Sequence, residues 1–201
     1  MKTRNITLTA ALIAALAVGA TGAYAYYSAK TATITNSYNI VAGGGASGAA
    51  VGTVDEVFNP DDAKNLGPRA SFGKDVKVTS KLDYSSYVYL LVTVPTINAR
   101  LNGESAKTVR ESVTLNFDNT GWTMVKHTDG SSDKAARYLY RYGTILDARG
   151  TTPSLFTTVT VPDYVEAESI SGTIDVTGYM ISSEGMSTSD ADTDAIAKLF
   201  T

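Results

Sequence analysis

His127, the single histidine, is the first residue whose type could do chemistry. It lies in a hydrophilic stretch with Asp129, Ser131 and Ser132, so a Ser-His-Asp arrangement could form in space. No nucleophile-elbow pattern accompanies these residues, and we favour a solvated histidine in a turn. Because the chain has one His and no Cys, a zinc site would depend mostly on carboxylates, which is uncommon. The sequence therefore predicts no catalytic, cofactor-binding or metal-binding residue.

Pairs of acidic residues offer a second kind of chemistry. Glu166 and Glu168 would share one face of an extended segment, and Asp61 is followed directly by Asp62. Carboxylate pairs of this kind serve glycoside hydrolysis. Solvated loops of acidic proteins also carry such pairs, and we favour that interpretation.

Two further motifs match ligand-binding loops only in part. Residues 43–48 read Gly-Gly-Gly-Ala-Ser-Gly and satisfy G-x-G-x-x-G, but no βαβ unit surrounds them, so we predict a hinge. Residues 190–194 read Asp-Ala-Asp-Thr-Asp, the opening of a calcium-binding loop. Ala195 and Thr201 stand where that loop needs Gly and Glu. We expect these aspartates instead to face the positive end of a helix dipole.

Three tyrosines, Tyr138, Tyr140 and Tyr142, alternate along one predicted strand and would share one of its faces. A strip of aromatic rings could stack on carbohydrate. Tyrosine also packs in cores and interfaces with its hydroxyl at the edge. We favour packing, and a carbohydrate-binding surface adhesin is the alternative.

The elements that position these residues are predicted to be mostly β-strands. Thr, Val and Tyr recur in alternating runs, which are typical of half-buried strands. Turn signals separate about nine runs, which favours an all-β antiparallel sandwich. The runs are residues 31–41, 54–58, 75–82, 87–94, 111–117, 121–126, 136–142, 156–161 and 170–181. The nearly continuous apolar run at 87–94 predicts a strand that is central or covered on both faces. One short C-terminal helix is predicted from Ser189, as its N-cap, to Phe200.

The composition excludes several classes of function. The chain carries 17 Lys and Arg against 20 Asp and Glu, with a net charge of −3 and no basic cluster. Binding of nucleic acid therefore has no electrostatic footprint here. The absence of cysteine rules out disulfides and thiolate catalysis. We expect burial and sheet hydrogen bonds alone to stabilise the fold.

Residues 1–25 are typical of an export signal. A short cationic start precedes an apolar run at 6–20, which at about 22 Å is too short to cross a bilayer core of roughly 30 Å. Ala23 and Ala25 occupy the −3 and −1 positions of a signal-peptidase site, which predicts cleavage before Tyr26. An uncleaved N-terminal anchor is the alternative. We expect a secreted protein that meets the membrane only during export.

The chain after the signal divides into two parts. Residues 26–52 combine a β-prone N-terminal strand with a Gly-rich linker that is flexible by composition, and residues 53–201 form the sandwich domain. The candidate donor strand is carried by Thr31, Thr33, Ile34, Tyr38, Ile40 and Val41. An open sheet edge can accept such a strand from its own chain or from another copy. The sequence fits both pairings equally.

Several of these blocks together resemble one family. Residues 8–25 read Leu-Thr-Ala-Ala-Leu-Ile-Ala-Ala-Leu-Ala-Val-Gly-Ala-Thr-Gly-Ala-Tyr-Ala. The segments 87–95 (Tyr-Val-Tyr-Leu-Leu-Val-Thr-Val-Pro), 155–162 (Leu-Phe-Thr-Thr-Val-Thr-Val-Pro) and 174–181 (Ile-Asp-Val-Thr-Gly-Tyr-Met-Ile) extend the likeness over most of the chain. The sequence resembles the SipW-dependent signal-peptide proteins, the TasA and camelysin (CalY) family of exported biofilm-matrix proteins.

This resemblance implies a jelly-roll-like β-sandwich, exported by a dedicated signal peptidase. It also implies assembly into extracellular fibres, in which the N-terminal strand of one subunit completes a sheet of the next. The expected partners are other copies of the chain or other matrix proteins, without a cofactor. The metalloprotease label of camelysin supplies an enzyme alternative, but no catalytic residue of the family can be placed on this sequence. We expect a structural protein of the extracellular matrix or cell surface.

Overall fold

The computed structural model describes residues 41–42, 52–58, 67–167 and 173–200. These residues form an all-β sandwich with a short C-terminal helix, α1, at Thr188–Leu199. The strands are β1 (Val41–Ala42), β2 (Gly52–Phe58), β3 (Ser71–Ser80), β4 (Ser86–Val94), β5 (Thr96–Leu101), β6 (Thr108–Glu111), β7 (Thr114–Leu115), β8 (Trp122–Thr128), β9 (Ala136–Tyr142), β10 (Phe156–Thr160), β11 (Tyr164–Ala167) and β12 (Asp175–Ser182). The predicted fold class, an all-β sandwich with a C-terminal helix, is confirmed.

The strands form three sheets. The central sheet has the order β1-β12-β4-β9-β8, the second sheet β2-β3-β10-β7, and the small sheet β11-β5-β6. All the neighbouring strands in these sheets are antiparallel except β1 and β12, which run parallel. This one parallel pair lies at the edge of the central sheet in a sandwich whose other described pairings are antiparallel.

The layers follow from the alternation of side chains along β4. Val88, Leu90 and Val92 point into the main core between the central and second sheets, where they meet Val76 and Phe156. The intervening residues Tyr87, Tyr89 and Leu91 point to the other face, which α1 covers with Ala191, Ala195 and Leu199. Both faces of β4 are thus buried, as its continuous apolar run predicts.

Pro95 explains one strand that the sequence analysis missed. A proline has no N–H for the ladder, so the end of β4 there is expected. The chain nevertheless stays extended and enters the small sheet as β5, where Ile97 and Ala99 are buried against Tyr164 of β11. β5 reads Thr-Ile-Asn-Ala-Arg-Leu and alternates polar with apolar residues, so a strand pattern was present there although it was not predicted.

The strand predicted at 111–117 is wrong as a single element. It is two short strands, β6 and β7, which belong to different sheets. Ser112 and Val113 lie between them, both are buried, and the Ser112 N–H donates to the Pro95 carbonyl at 2.8 Å. The alternation of apolar residues continues from β6 into β7, where the chain changes sheets, because Val113 and Leu115 both pack on the main core. A period of two in the sequence cannot separate one strand from two in this situation.

The helix begins two residues earlier than predicted. Its N-cap is Ser187, whose Oγ accepts a hydrogen bond from the Asp190 N–H at 3.2 Å, so the predicted cap at Ser189 is wrong. Ser187 satisfies one of the N–H groups that every helix start leaves unpaired. Both Ser187 and Ser189 precede acidic residues, and the sequence alone does not distinguish the two candidates.

Candidate assembly edge

The predicted donor strand meets the described part of the structure at its last residue. Val41 and Ala42 form β1 and pair with Tyr179 and Met180 of β12. The other candidate donor residues lie outside the described residues, and so do the signal-cleavage residues. The donor residues concerned are Thr31, Thr33, Ile34, Tyr38 and Ile40, and the cleavage residues are Ala23, Ala25 and Tyr26. β1 therefore shows that the last residue of the predicted donor strand lies beside β12.

β12 offers two different edges. Its inner edge pairs with β4 along its whole length, from Asp175 opposite Thr93 to Ser182 opposite Ser86. Within the described ranges, its outer edge pairs only with Val41 and Ala42. A strand edge exposes a row of backbone donors and acceptors that a further strand can satisfy. The outer edge of β12 is thus able to accept more of a strand than β1 supplies.

The side chains of β12 alternate between two buried environments. Val176 and Met180 belong to the main core between the sheets. Tyr179 and Ile181 belong to the cluster beneath α1. A strand added at the outer edge would extend both clusters at once, because in-register neighbours in a sheet share a face.

A set of polar contacts fixes α1 to the central sheet, and we call it the helix anchor (Tyr89, Arg141, Tyr179, Asp192 and Asp194). The Arg141 guanidinium donates to both carboxylate oxygens of Asp192 at 2.7 and 2.6 Å, and the Tyr89 hydroxyl donates to the same carboxylate at 2.9 Å. The Tyr179 hydroxyl donates to Asp194. Since Tyr179 is also the register partner of Val41, the helix anchor adjoins the outer edge of β12.

The anchor changes the ionisation of its tyrosines. Burial raises the pKa of the Tyr89 hydroxyl, and its hydrogen bond to Asp192 raises that pKa further. Burial and the hydrogen bond to Asp194 raise the pKa of Tyr179 in the same way. A neutral hydroxyl donor therefore faces each carboxylate. The sequence analysis had assigned these aspartates to the helix dipole; Asp190 does lie in the first turn, whereas Asp192 and Asp194 bond to the sheet.

The three tyrosines of β9 lie on the side of the main core. Tyr140 is 3% exposed, and Tyr138 and Tyr142 pack against the same cluster. The Phe117 ring lies 5.1 Å from that of Tyr138 and 4.7 Å from that of Tyr140. The indole of Trp122 lies 5.5 Å from the Tyr142 ring. Neighbouring side chains of the protein thus occupy the ring surfaces that would have to meet a sugar.

His127 makes a stacking contact. Its ring lies 4.3 Å from that of Tyr138 at an angle of 16°, and its Nε2 is 3.5 Å from an Asp129 oxygen. The Ser131 hydroxyl donates to Asp133 at 2.7 Å. The Ser-His-Asp arrangement considered above is not assembled by these contacts. His127 instead covers one side of a core tyrosine.

The acidic pairs fall partly outside the described residues. Glu166 accepts hydrogen bonds from Lys107 and Arg100, and its bond from Lys107 lowers the pKa of its carboxyl. Glu168, Asp61, Asp62 and the glycine motif at 43–48 lie in ranges that the structure does not describe. Among the described side chains, no three His, Asp or Glu residues gather as a metal site. α1 is neither long nor apolar enough to span a membrane.

Comparisons with protein-family models, with curated proteins and with solved structures found no match.

The feature that sequence reasoning missed is the helix anchor. Its signal was present in β4, where Tyr87 and Tyr89 interrupt an otherwise aliphatic strand on one face. Tyrosines that alternate on a doubly buried strand need polar partners for their hydroxyls. The acidic first turns of the only predicted helix were the available partners, but the pairing depends on tertiary placement.

Proposed function

We propose that this chain is a secreted structural protein of the extracellular matrix or cell surface, and that it assembles by N-terminal strand exchange. In this proposal, the segment that ends at Val41 adds to the outer edge of β12 in a neighbouring copy. The single observation that supports it most is the parallel pairing of β1 with β12, which brings the N-terminal segment to that edge. The family resemblance described above suggests the same class of protein.

The connection between β1 and β2 supports exchange on physical grounds. β1 is two residues long in the described structure, and residues 43–51 are rich in Gly, Ala and Ser. Linkers of that composition behave as flexible coils that can reach either their own domain or another. A parallel edge strand can leave its own sheet without disturbing the β12–β4 ladder, because that ladder uses the opposite edge of β12.

Deletion of residues 26–41 is expected to abolish filaments while leaving the sandwich folded. The deletion removes the strand that would bridge two subunits, whereas the main core and α1 keep all their described contacts. Electron microscopy of the chain starting at Tyr26, with and without the deletion, measures the first effect. Circular dichroism and thermal unfolding measure the second.

Filaments that persist in the deleted protein would contradict strand exchange. The complete absence of filaments from the undeleted protein, across protein concentrations and pH values, would contradict the structural role itself. The two results are separable because they concern different proteins in the same assay.

A further inference from the structure

We infer that Asn102 is a site of spontaneous deamidation, in which the backbone nitrogen of Gly103 attacks the Asn102 side chain and the amide becomes a carboxylate. The two residues lie in the turn that follows β5 of the small sheet. The inference goes beyond the proposed function and does not depend on it, because it concerns the small sheet and not the outer edge of β12.

The residue type at position 103 singles out Asn102 among the nine asparagines of the chain. Each of the other eight is followed by a residue with a side chain, whereas Asn102 is followed by glycine. Glycine has no Cβ to crowd the five-membered ring that the attack closes. The chain itself holds the attacking nitrogen beside the side-chain carbon, which raises their effective concentration. Ring closure is therefore least hindered at Asn102.

The structure leaves this pair of residues open to solvent. Asn102 and Gly103 are both exposed, and no atom lies within 4 Å of the position that a Cβ of Gly103 would take. The Glu104 N–H donates to the Leu101 carbonyl at 3.2 Å, which closes a β-turn with Gly103 at its third position and a φ of +87°. Among the described backbone hydrogen bonds, this turn uses the N–H groups of Asn102 and Glu104 but not that of Gly103. The attacking nitrogen is therefore not held by the ladder.

The reaction needs water and no other reactant. The Gly103 nitrogen loses its proton to the solvent and forms a bond to Cγ of Asn102, while the bond from Cγ to Nδ2 breaks and Nδ2 leaves as ammonia. Water then adds to one of the two carbonyl carbons of the cyclic imide and opens the ring. Opening on one side gives aspartate, and opening on the other gives isoaspartate, in which the backbone runs through the former side chain. In sum, one amide and one water become one carboxylate and one ammonium ion.

The amide that reacts also makes a contact within the small sheet. The Asn102 side chain donates to the carboxylate of Asp163, the residue before β11, and the Arg69 guanidinium donates to the same carboxylate. The bond from Arg69 lowers the pKa of Asp163, and the bond from Asn102 lowers it further, so this carboxylate is charged at neutral pH. Deamidation puts a second negative charge where a donor stood. We expect it to weaken the contact between the turn after β5 and the start of β11.

Peptide mapping tests the site. The folded protein is incubated in mildly alkaline buffer and digested with trypsin at intervals, and mass spectrometry measures the fraction of each peptide in which an amide has become an acid. The tryptic peptide 101–107 contains Asn102 as its single asparagine, and the control peptide 111–126 contains Asn116 and Asn119. Peptide 101–107 is expected to deamidate several-fold faster. Deamidation of this peptide at the same rate as the control, or more slowly, would overturn the site.

The products test the role of Gly103. Both aspartate and isoaspartate are expected at position 102, because water can open the imide on either side. Aspartate alone would show direct hydrolysis of the side chain and would overturn the attack by Gly103. Asn102→Gln is the matched control, since glutamine keeps the amide but would have to close a six-membered ring. Its peptide is expected to stay unchanged over the same period.

Hydrogen exchange tests the structural consequence. Asn102→Asp carries the charge of the product from the start, whereas Asn102→Gln remains neutral. The amides of β11 are expected to exchange faster in Asn102→Asp than in Asn102→Gln, and those of β4 at the same rate in both. Equal exchange of β11 in the two variants would overturn the predicted weakening at Asp163. Neither result bears on strand exchange, which the deletion of residues 26–41 tests separately.

Discussion

Replacing Trp122 by alanine is expected to lower the free energy of unfolding by about 4 kcal/mol, the range for removing a large aromatic side chain from a core. Trp122 is 1% exposed and packs against Tyr142. Its indole Nε1–H donates to the Pro153 carbonyl at 3.3 Å, so the variant loses a hydrogen bond as well as apolar contact. Urea denaturation followed by circular dichroism measures the change.

A control variant on the same strand isolates the effect of burial. Met124 lies two residues further along β8 and is 50% exposed. Met124→Ala is expected to change the free energy of unfolding by less than about 0.5 kcal/mol, as surface substitutions usually do. If the two variants lost the same stability, the assignment of Trp122 to the main core would be wrong.

The substitution Asp192→Asn is expected to cost about 2 kcal/mol, because it leaves a partly buried guanidinium without its counter-charge. The side chains of Arg141 and Asp192 are only 15% and 26% exposed, and Tyr89 donates to the same carboxylate. Loss of this anchor should weaken the docking of α1 on the central sheet. Hydrogen exchange of the α1 amides is expected to accelerate more than that of β4.

The exposed ion pair between Arg149 and Asp83 provides the matched control. Its side chains are 61% and 81% exposed, so solvent screens the attraction between them. Asp83→Asn should change the free energy of unfolding by about 0.5 kcal/mol or less. An equal loss in both variants would show that the geometry of the helix anchor contributes nothing beyond an ordinary surface pair.

The strands of the central sheet are the elements that the sequence predicts best. The predicted range 136–142 coincides with β9, and the apolar run at 87–94 lies within β4, because both strands pack on long, regular partners. In these two strands the sequence pattern matches the burial of the side chains in the folded protein, so the two-residue period of a strand is not interrupted.

The small sheet and the helix anchor required the structure. β5 follows Pro95 directly, and the break that proline predicts is a change of sheet and not a loop. The partners of Asp192 come from two strands, at Tyr89 and Arg141, and only folding brings them together. The spacing of residues in the sequence does not predict such tertiary contacts. The alternation of tyrosines on a buried strand does indicate that their hydroxyls must have polar partners.

At the outer edge of β12, the sequence predicts one part of the pairing and the structure supplies another. The alternation of Ile34, Tyr38 and Ile40 predicts a strand with one apolar face, but the sequence leaves its partner open. The structure shows Val41 and Ala42 paired with β12 in a parallel orientation, which the sequence does not predict. Parallel addition at this edge is what gives the proposed exchange a definite geometry.

The most direct test of strand exchange places one cysteine on each of two molecules. Asn39→Cys and Thr177→Cys are purified as separate single variants, reduced, mixed in equal amounts and oxidised gently. Position 39 lies two residues before Val41, and Thr177 lies two residues before its partner Tyr179, so strand exchange is expected to bring the two cysteines together. Neither variant can close a disulfide within itself. Random collision of equal amounts makes half of all dimers heterodimers, so strand exchange predicts a heterodimer share well above one half. Unreacted monomers in the mixture, or heterodimers and homodimers in the random proportion, would contradict it.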